Sequence, residues 1–85
     1  LKIIRKNIDK IDFKMLKLLA NRRKEVLKII KYKPKSKIVD QKRIKKMLNL
    51  RCKKAKALKI EKFIITGIWN AMINSFIKLQ RMKYK

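Results

Sequence analysis

The sequence predicts an all-α fold: three helices per chain, one very long N-terminal helix, paired with that of a second copy in a helical homodimer. Three observations predict it. The 85 residues hold one glycine and one proline, too few for the turns that a sheet demands. Apolar residues recur at alternating spacings of three and four over long stretches, the mark of a helix with one buried face. Breaks in that pattern fall at two places, "KYKPKSKIVD" and a short stretch near Leu58 to Ile60. The length allows a single domain, residues 1–85.

The first helix is expected from about Leu1 to Tyr32. Its stripe reads Ile4, Ile8, Ile11, Met15, Leu18, Leu19, then Arg22, then Val26, Ile29 and Ile30. At 1.5 Å per residue such a helix is roughly 48 Å long, whereas a compact chain of this size is about 25 Å across. The helix outruns its own domain, so a second chain is expected to cover its stripe. Pro34 cannot continue the helix, and Lys33 before it is biased out of the α region. Asp40 is placed as an N-cap, with Val39 and Ile44 as a hydrophobic staple. The second helix is expected from about Gln41 to Ala57, with Ile44, Met47, Leu48, Cys52 and Ala55 inward. The third is expected from about Glu61 to Met82, with the stripe Ile65, Ile68, Trp69, Met72, Ile73, Phe76 and Gln80. Gly67 inside it is expected to allow close helix packing, with a kink as the alternative.

Composition excludes several classes of chemistry. There is no histidine and one cysteine, Cys52. That removes a disulfide framework, histidine-dependent triads and the ordinary zinc-ligand patterns. No metal and no cofactor is expected. No stretch approaches the ~18 or more apolar residues of a membrane-spanning helix, and no membrane partner is expected. The formal net charge is +23, which attracts anions of any kind. The 28 basic residues are 22 lysines and six arginines. Lysine is therefore the general surface cation, and the rarer arginines, suited to planar bidentate recognition of carboxylates and phosphates, carry more information.

Arg22 and Gln80 stand on faces that are otherwise apolar. Burying an unpaired charge costs several kcal/mol. Arg22 has two ordinary explanations: its aliphatic stem carries the head to solvent, or it pairs with an acid. The five acids are Asp9, Asp12, Glu25, Asp40 and Glu61, and none lies on its stripe nearby. The functional explanation is an internal pocket for an anionic ligand. Lys33 continues the same stripe, although a lysine at a helix C-terminus also suits the dipole. Arg43 in the first turn of the second helix opposes the dipole there, and an anion bound nearby would account for it. Arg5 by itself reads as a surface residue. Together, Arg5, Arg22, Lys33, Arg43 and Gln80 suggest a site for a small molecule with two carboxylates.

These segments resemble a known family. "IIRKNIDKIDFKMLKLLANRRKEVLKIIKYK" is similar to the first helix of the all-helical bacterial-type chorismate mutases. "IVDQKR" resembles the start of their second helix, and "GIWNAMINSFIKLQ" their third. The resemblance implies a three-helix chain that intertwines as a dimer and rearranges chorismate, a small dianion, to prephenate in Phe/Tyr biosynthesis, without acid–base or covalent catalysis. It implies that Arg22 clamps a substrate carboxylate and that Arg5 reaches into the partner's site. Arg43 is implied near the second carboxylate, and Lys33 and Gln80 at the ether oxygen. Asp40 matches an acidic residue near the ring hydroxyl. Arg23, about 100° round the helix from Arg22, is expected at the surface.

The chain departs from that family in three places. Ile44 stands where a glutamate is usual, Phe76 where a serine is common, and Lys59 where a glycine is common before the third helix. The first two make the pocket more apolar and lean toward a close relative, isochorismate pyruvate lyase of salicylate synthesis, or toward a weak mutase; Asp40 favours the mutase. A third reading is a basic helical protein binding nucleic acid through its lysines, which has no use for Arg22 or Gln80. The expected enzyme is an isomerase with no specific nucleic-acid partner. Its expected location is the cytoplasm, with a secreted mature form as the alternative because the chain begins at Leu1.

Overall fold

The computed structural model describes residues 1–32 and 39–83. Three helices follow one another: α1 (Lys2–Ile29), α2 (Gln41–Ala57) and α3 (Lys62–Lys83). No strand occurs among the described residues, so the chain is all-α with a very long first helix. No helix among them is long and apolar enough to cross a membrane. The chain divides into two compact units, Leu1–Tyr32 and Lys33–Lys85.

In the first unit, α1 runs 28 residues without glycine or proline, about 42 Å at 1.5 Å per residue. It starts one residue later and ends three residues earlier than the apolar pattern suggested. The end has a local cause. Lys31 N donates to Lys28 O at 3.2 Å and Tyr32 N to Ile29 O at 2.9 Å, i→i+3 bonds that tighten the last turn. Lys28 in that turn suits the dipole and pairs with Glu25 at 3.0 Å. Both partners are well exposed, so the pair adds only a few tenths of a kcal/mol.

The stripe of α1 divides into two parts. Arg22, Val26 and Ile30 are half-buried. The N-terminal part is open: Ile4, Ile8, Ile11, Met15, Leu18 and Leu19 are all exposed, and α1 contains no buried residue.

In the second unit, α2 occupies the predicted span. Asp40 caps it: its Oδ1 accepts from Arg43 N at 3.1 Å, and its carbonyl accepts from Ile44 N at 3.0 Å. Val39 and Ile44, the staple pair, are both half-buried. The other end closes in a Schellman motif. Ile60 N donates to Ala55 O at 2.9 Å and Lys59 N to Lys56 O at 3.1 Å, with Lys59 in the left-handed region at φ 61°. The chain then turns directly into α3, whose first turn hangs on Glu61 O, acceptor of the N–H groups of Ile64 and Ile65. Glu61 is thus the residue before the helix rather than its first.

α2 and α3 pack on one another. Their buried residues are Ala55, Ile65 and Ile73. Ile44, Met47, Leu48 and Cys52 are half-buried beside them, as are Trp69, Met72, Phe76 and Gln80. One expectation for α3 fails: Ile68 is 41% exposed rather than inward. At Gly67, a Cβ would meet nothing within 4 Å, so among the described residues no packing within the α2–α3 unit requires the glycine.

Candidate active site

Arg22 sits on the α1 face shared by Val26, one turn further on, and both are half-buried. Its Nη1 is closed off from solvent. The adjacent Arg23, about 100° away around the helix, is exposed, as is Arg5. Arg5 and Arg22 are 17 positions apart on one continuous helix. That is roughly 25 Å along the axis and about a quarter-turn around it. Two arginines that project sideways from the axis cannot meet on one single-ring dianion across that distance. If both bind substrate, the Arg5 of a chain serves a different site from its Arg22.

The remaining candidates belong to the second unit, where the hairpin gathers them at one end. The link is short, so α2 and α3 run antiparallel. Ile44 lies 14 residues before Leu58, and Phe76 lies 15 after Glu61. At 1.5 Å per residue, both stand about 21 Å from the link. Arg43 and Ile44 are therefore level with Phe76, and Asp40 with the turn that holds Gln80. Ile44, Phe76 and Gln80 are half-buried, while Asp40 and Arg43 are exposed. Phe76 and Gln80, four residues apart, share a face with the buried Ile73. Gln80 is thus a neutral polar group held on an apolar face. Lys33 lies outside the described residues.

Asp40 already has a structural duty. One carboxylate oxygen holds the α2 N-terminus, and a carboxylate has a second oxygen with which to accept another bond. The same capping turn fixes the backbone of Arg43, so the cation that opposes the helix dipole is set by the cap. The predicted stripe did not include Leu27, beside Val26, which is half-buried as well; it lies on the adjacent face, in line with Leu16 and Ala20.

The family model for chorismate mutase type II matches residues 4–81. The chain belongs to the chorismate mutase type II family. The match takes in nearly all of α1, the whole of α2 and all but the last two residues of α3. All eight candidate residues fall inside it: Arg5, Arg22, Lys33, Asp40, Arg43, Ile44, Phe76 and Gln80. Comparison with curated proteins and with solved structures gives no match. Membership makes the chain an isomerase of the chorismate mutase kind, with chorismate as the substrate of the family.

Proposed function

We propose that this chorismate mutase family member converts chorismate to prephenate in the cytoplasmic synthesis of phenylalanine and tyrosine. The chain acts as one catalytic domain within a homodimer. The observation that carries the reading is Arg22, a half-buried guanidinium on the apolar face of α1, in a chain that the family model spans.

The chemistry asks little of the protein in acid–base terms. The rearrangement is an intramolecular [3,3] shift: one C–O bond of the ether breaks while one C–C bond forms, and no proton or electron pair leaves the substrate. Two contributions accelerate it. The first is holding the chair-like conformer in which the reacting carbons approach. The second is fixed donors at the ether oxygen, where negative charge develops. Arg22 and Arg43 clamp the two carboxylates, while Lys33 and Gln80 donate to the ether oxygen. Asp40 accepts from the ring hydroxyl with the oxygen not used by the cap. Ile44 and Phe76 line the hydroxyl side with apolar surface, so beyond the Asp40 bond the ring is held there by shape.

The dimer has two supports. Six large apolar residues of the α1 stripe, Ile4, Ile8, Ile11, Met15, Leu18 and Leu19, stay exposed in the single chain. Arg5 is about 25 Å along the axis from Arg22, so it serves a partner's site. A second reading, isochorismate pyruvate lyase, draws on Ile44 and Phe76, which occupy positions where the mutases carry polar groups.

The test is steady-state kinetics of Arg22→Ala and Arg22→Lys with chorismate, alongside the unaltered protein. Loss of a bidentate charge-assisted contact costs about 3 kcal/mol, or roughly 150-fold in kcat/KM. Lysine restores charge without the planar fork and recovers only part of the loss. Undiminished turnover by Arg22→Ala would remove Arg22 from the site.

A further inference from the structure

The hairpin carries a second feature at its other end. A groove of about 560 Å³ lies at the α2–α3 corner, lined by Asn49, Cys52, Lys53, Lys56, Lys59, Ile60, Glu61 and Lys62. Four lysines and one glutamate line it. Cys52 and Ile60 are its only apolar contributors, and both are half-buried.

The groove continues a stripe. α2 holds eight cations, Lys42, Arg43, Lys45, Lys46, Arg51, Lys53, Lys54 and Lys56, and no acid, in 17 residues. All eight are exposed. Positions 42, 46, 49, 53 and 56 recur at spacings of three and four, so Lys42, Lys46, Asn49, Lys53 and Lys56 form one line along the helix. That line runs into Lys59 of the link and Lys62 of α3. Like charges at these spacings repel, and Glu61 is the one acid among the residues that line the groove. Lys59 adds a cation at a left-handed position, φ 61°, where the backbone favours glycine.

The mutase reaction does not use this end. Ile44 and Phe76 stand about 21 Å from the link, and the nearest groove lysine on α2, Lys53, is about 14 Å along the helix from Ile44. The reach of a charge at physiological salt is about 8 Å, so the groove lysines barely act on a substrate bound there.

We infer that the groove at the α2–α3 corner binds the phosphate backbone of a single-stranded nucleic acid, without reading its sequence. A basic groove that tracks a backbone is the form such sites take. No aromatic residue lines it, so binding rests on phosphate contacts, which carry no sequence information. A lipid surface fits less well: the exposed Leu58 and Phe63, the large apolar side chains nearby that would enter a bilayer, do not line the groove.

The experiment titrates the full chain with a fluorescent mixed-sequence 20-nucleotide RNA between 50 and 200 mM salt. Four lysines neutralising four phosphates give a slope of log K against log[salt] near −2.8, or about 50-fold weaker binding across that range. Lys53→Gln/Lys56→Gln/Lys62→Gln leaves one contact, a slope near −0.7 and about a threefold change. Lys59→Gly removes a charge while relieving the backbone, so weaker binding by that variant cannot come from unfolding. A control, Lys10→Gln/Lys17→Gln/Lys24→Gln, deletes the same charge from the side of α1 away from its apolar stripe. The inference predicts that the groove variants flatten the slope and the control leaves it unchanged. Equal losses in both triples would assign the binding to net charge and overturn it. So would an unaltered slope in Lys59→Gly, or binding to vesicles containing phosphatidylserine with none to RNA.

Discussion

Replacing Lys59 by glycine stabilises the protein, and the size of the effect follows from the turn. Lys59 holds φ 61° because two bonds require it: Ile60 N to Ala55 O at 2.9 Å and Lys59 N to Lys56 O at 3.1 Å. The left-handed conformation costs a residue with a Cβ about 1–2 kcal/mol. Glycine escapes that cost but loses about 0.5–1 kcal/mol more backbone entropy on folding. The net gain is about 0.5–1 kcal/mol. For a chain of this size it raises the melting temperature by about 2–8 °C. The assay is thermal and urea unfolding by circular dichroism of the unaltered protein, Lys59→Gly and Lys59→Ala. Alanine keeps the Cβ and deletes the same charge, so it separates backbone relief from charge relief. If alanine stabilises as much as glycine, or glycine destabilises, the Schellman geometry is not what governs this position.

Other perturbations have equally definite outcomes. Gly67→Ala adds a methyl group where nothing lies within 4 Å and removes a mid-helix glycine, a gain of about 1 kcal/mol by urea unfolding; a loss instead would mean that another chain packs on that spot. Asp40→Ala deletes the α2 cap and costs about 1 kcal/mol, whereas Asp40→Asn still caps and leaves stability near its original value. If Asn also leaves kcat/KM for chorismate unchanged, the negative charge of Asp40 has no part in binding the ring hydroxyl. Ile11→Glu puts a charge in the middle of the open α1 stripe and weakens the proposed homodimer by about 4 kcal/mol, roughly 1000-fold in the dissociation constant. Sedimentation that shows the same species before and after this change counts against a dimer built on α1.

The helices were legible because each signal is local. Pro34, the Asp40 cap and the period of the apolar residues placed α2 at its observed ends. They placed α3 within one residue. Periodicity also identified the inward residues of α2, since a single neighbouring helix covers them. It was less informative where covering depends on something other than spacing. Ile68 has the right period and is still 41% exposed, because it lies at the margin of the face that α2 covers. The α1 stripe has the same pattern over Ile4 to Leu19 as over Val26 to Ile30, yet only part of it is shielded in the single chain. A pattern says which face is apolar, not which chain covers it.

The candidate site was legible to a different degree. Polar residues on apolar faces, Arg22 and Gln80, can be found by counting, and both are half-buried. The level placement of Arg43 and Ile44 with Phe76 needs the tightness of the Leu58–Glu61 turn, which comes from the Schellman bonds. Lys59 in place of the family's usual glycine was visible as a departure. Its meaning appears only with the φ angle, which explains why glycine suits that position. The basic groove was the least legible part. Lysines are so common in this chain that composition does not single out the four that converge.

The measurement that bears most directly on the account is product identification from the purified protein, with chorismate and isochorismate supplied separately. The account predicts prephenate from chorismate, and with it a working pocket in which Ile44 and Phe76 replace polar groups. Pyruvate and salicylate from isochorismate, with no prephenate from chorismate, would contradict it and move the chain to the lyase.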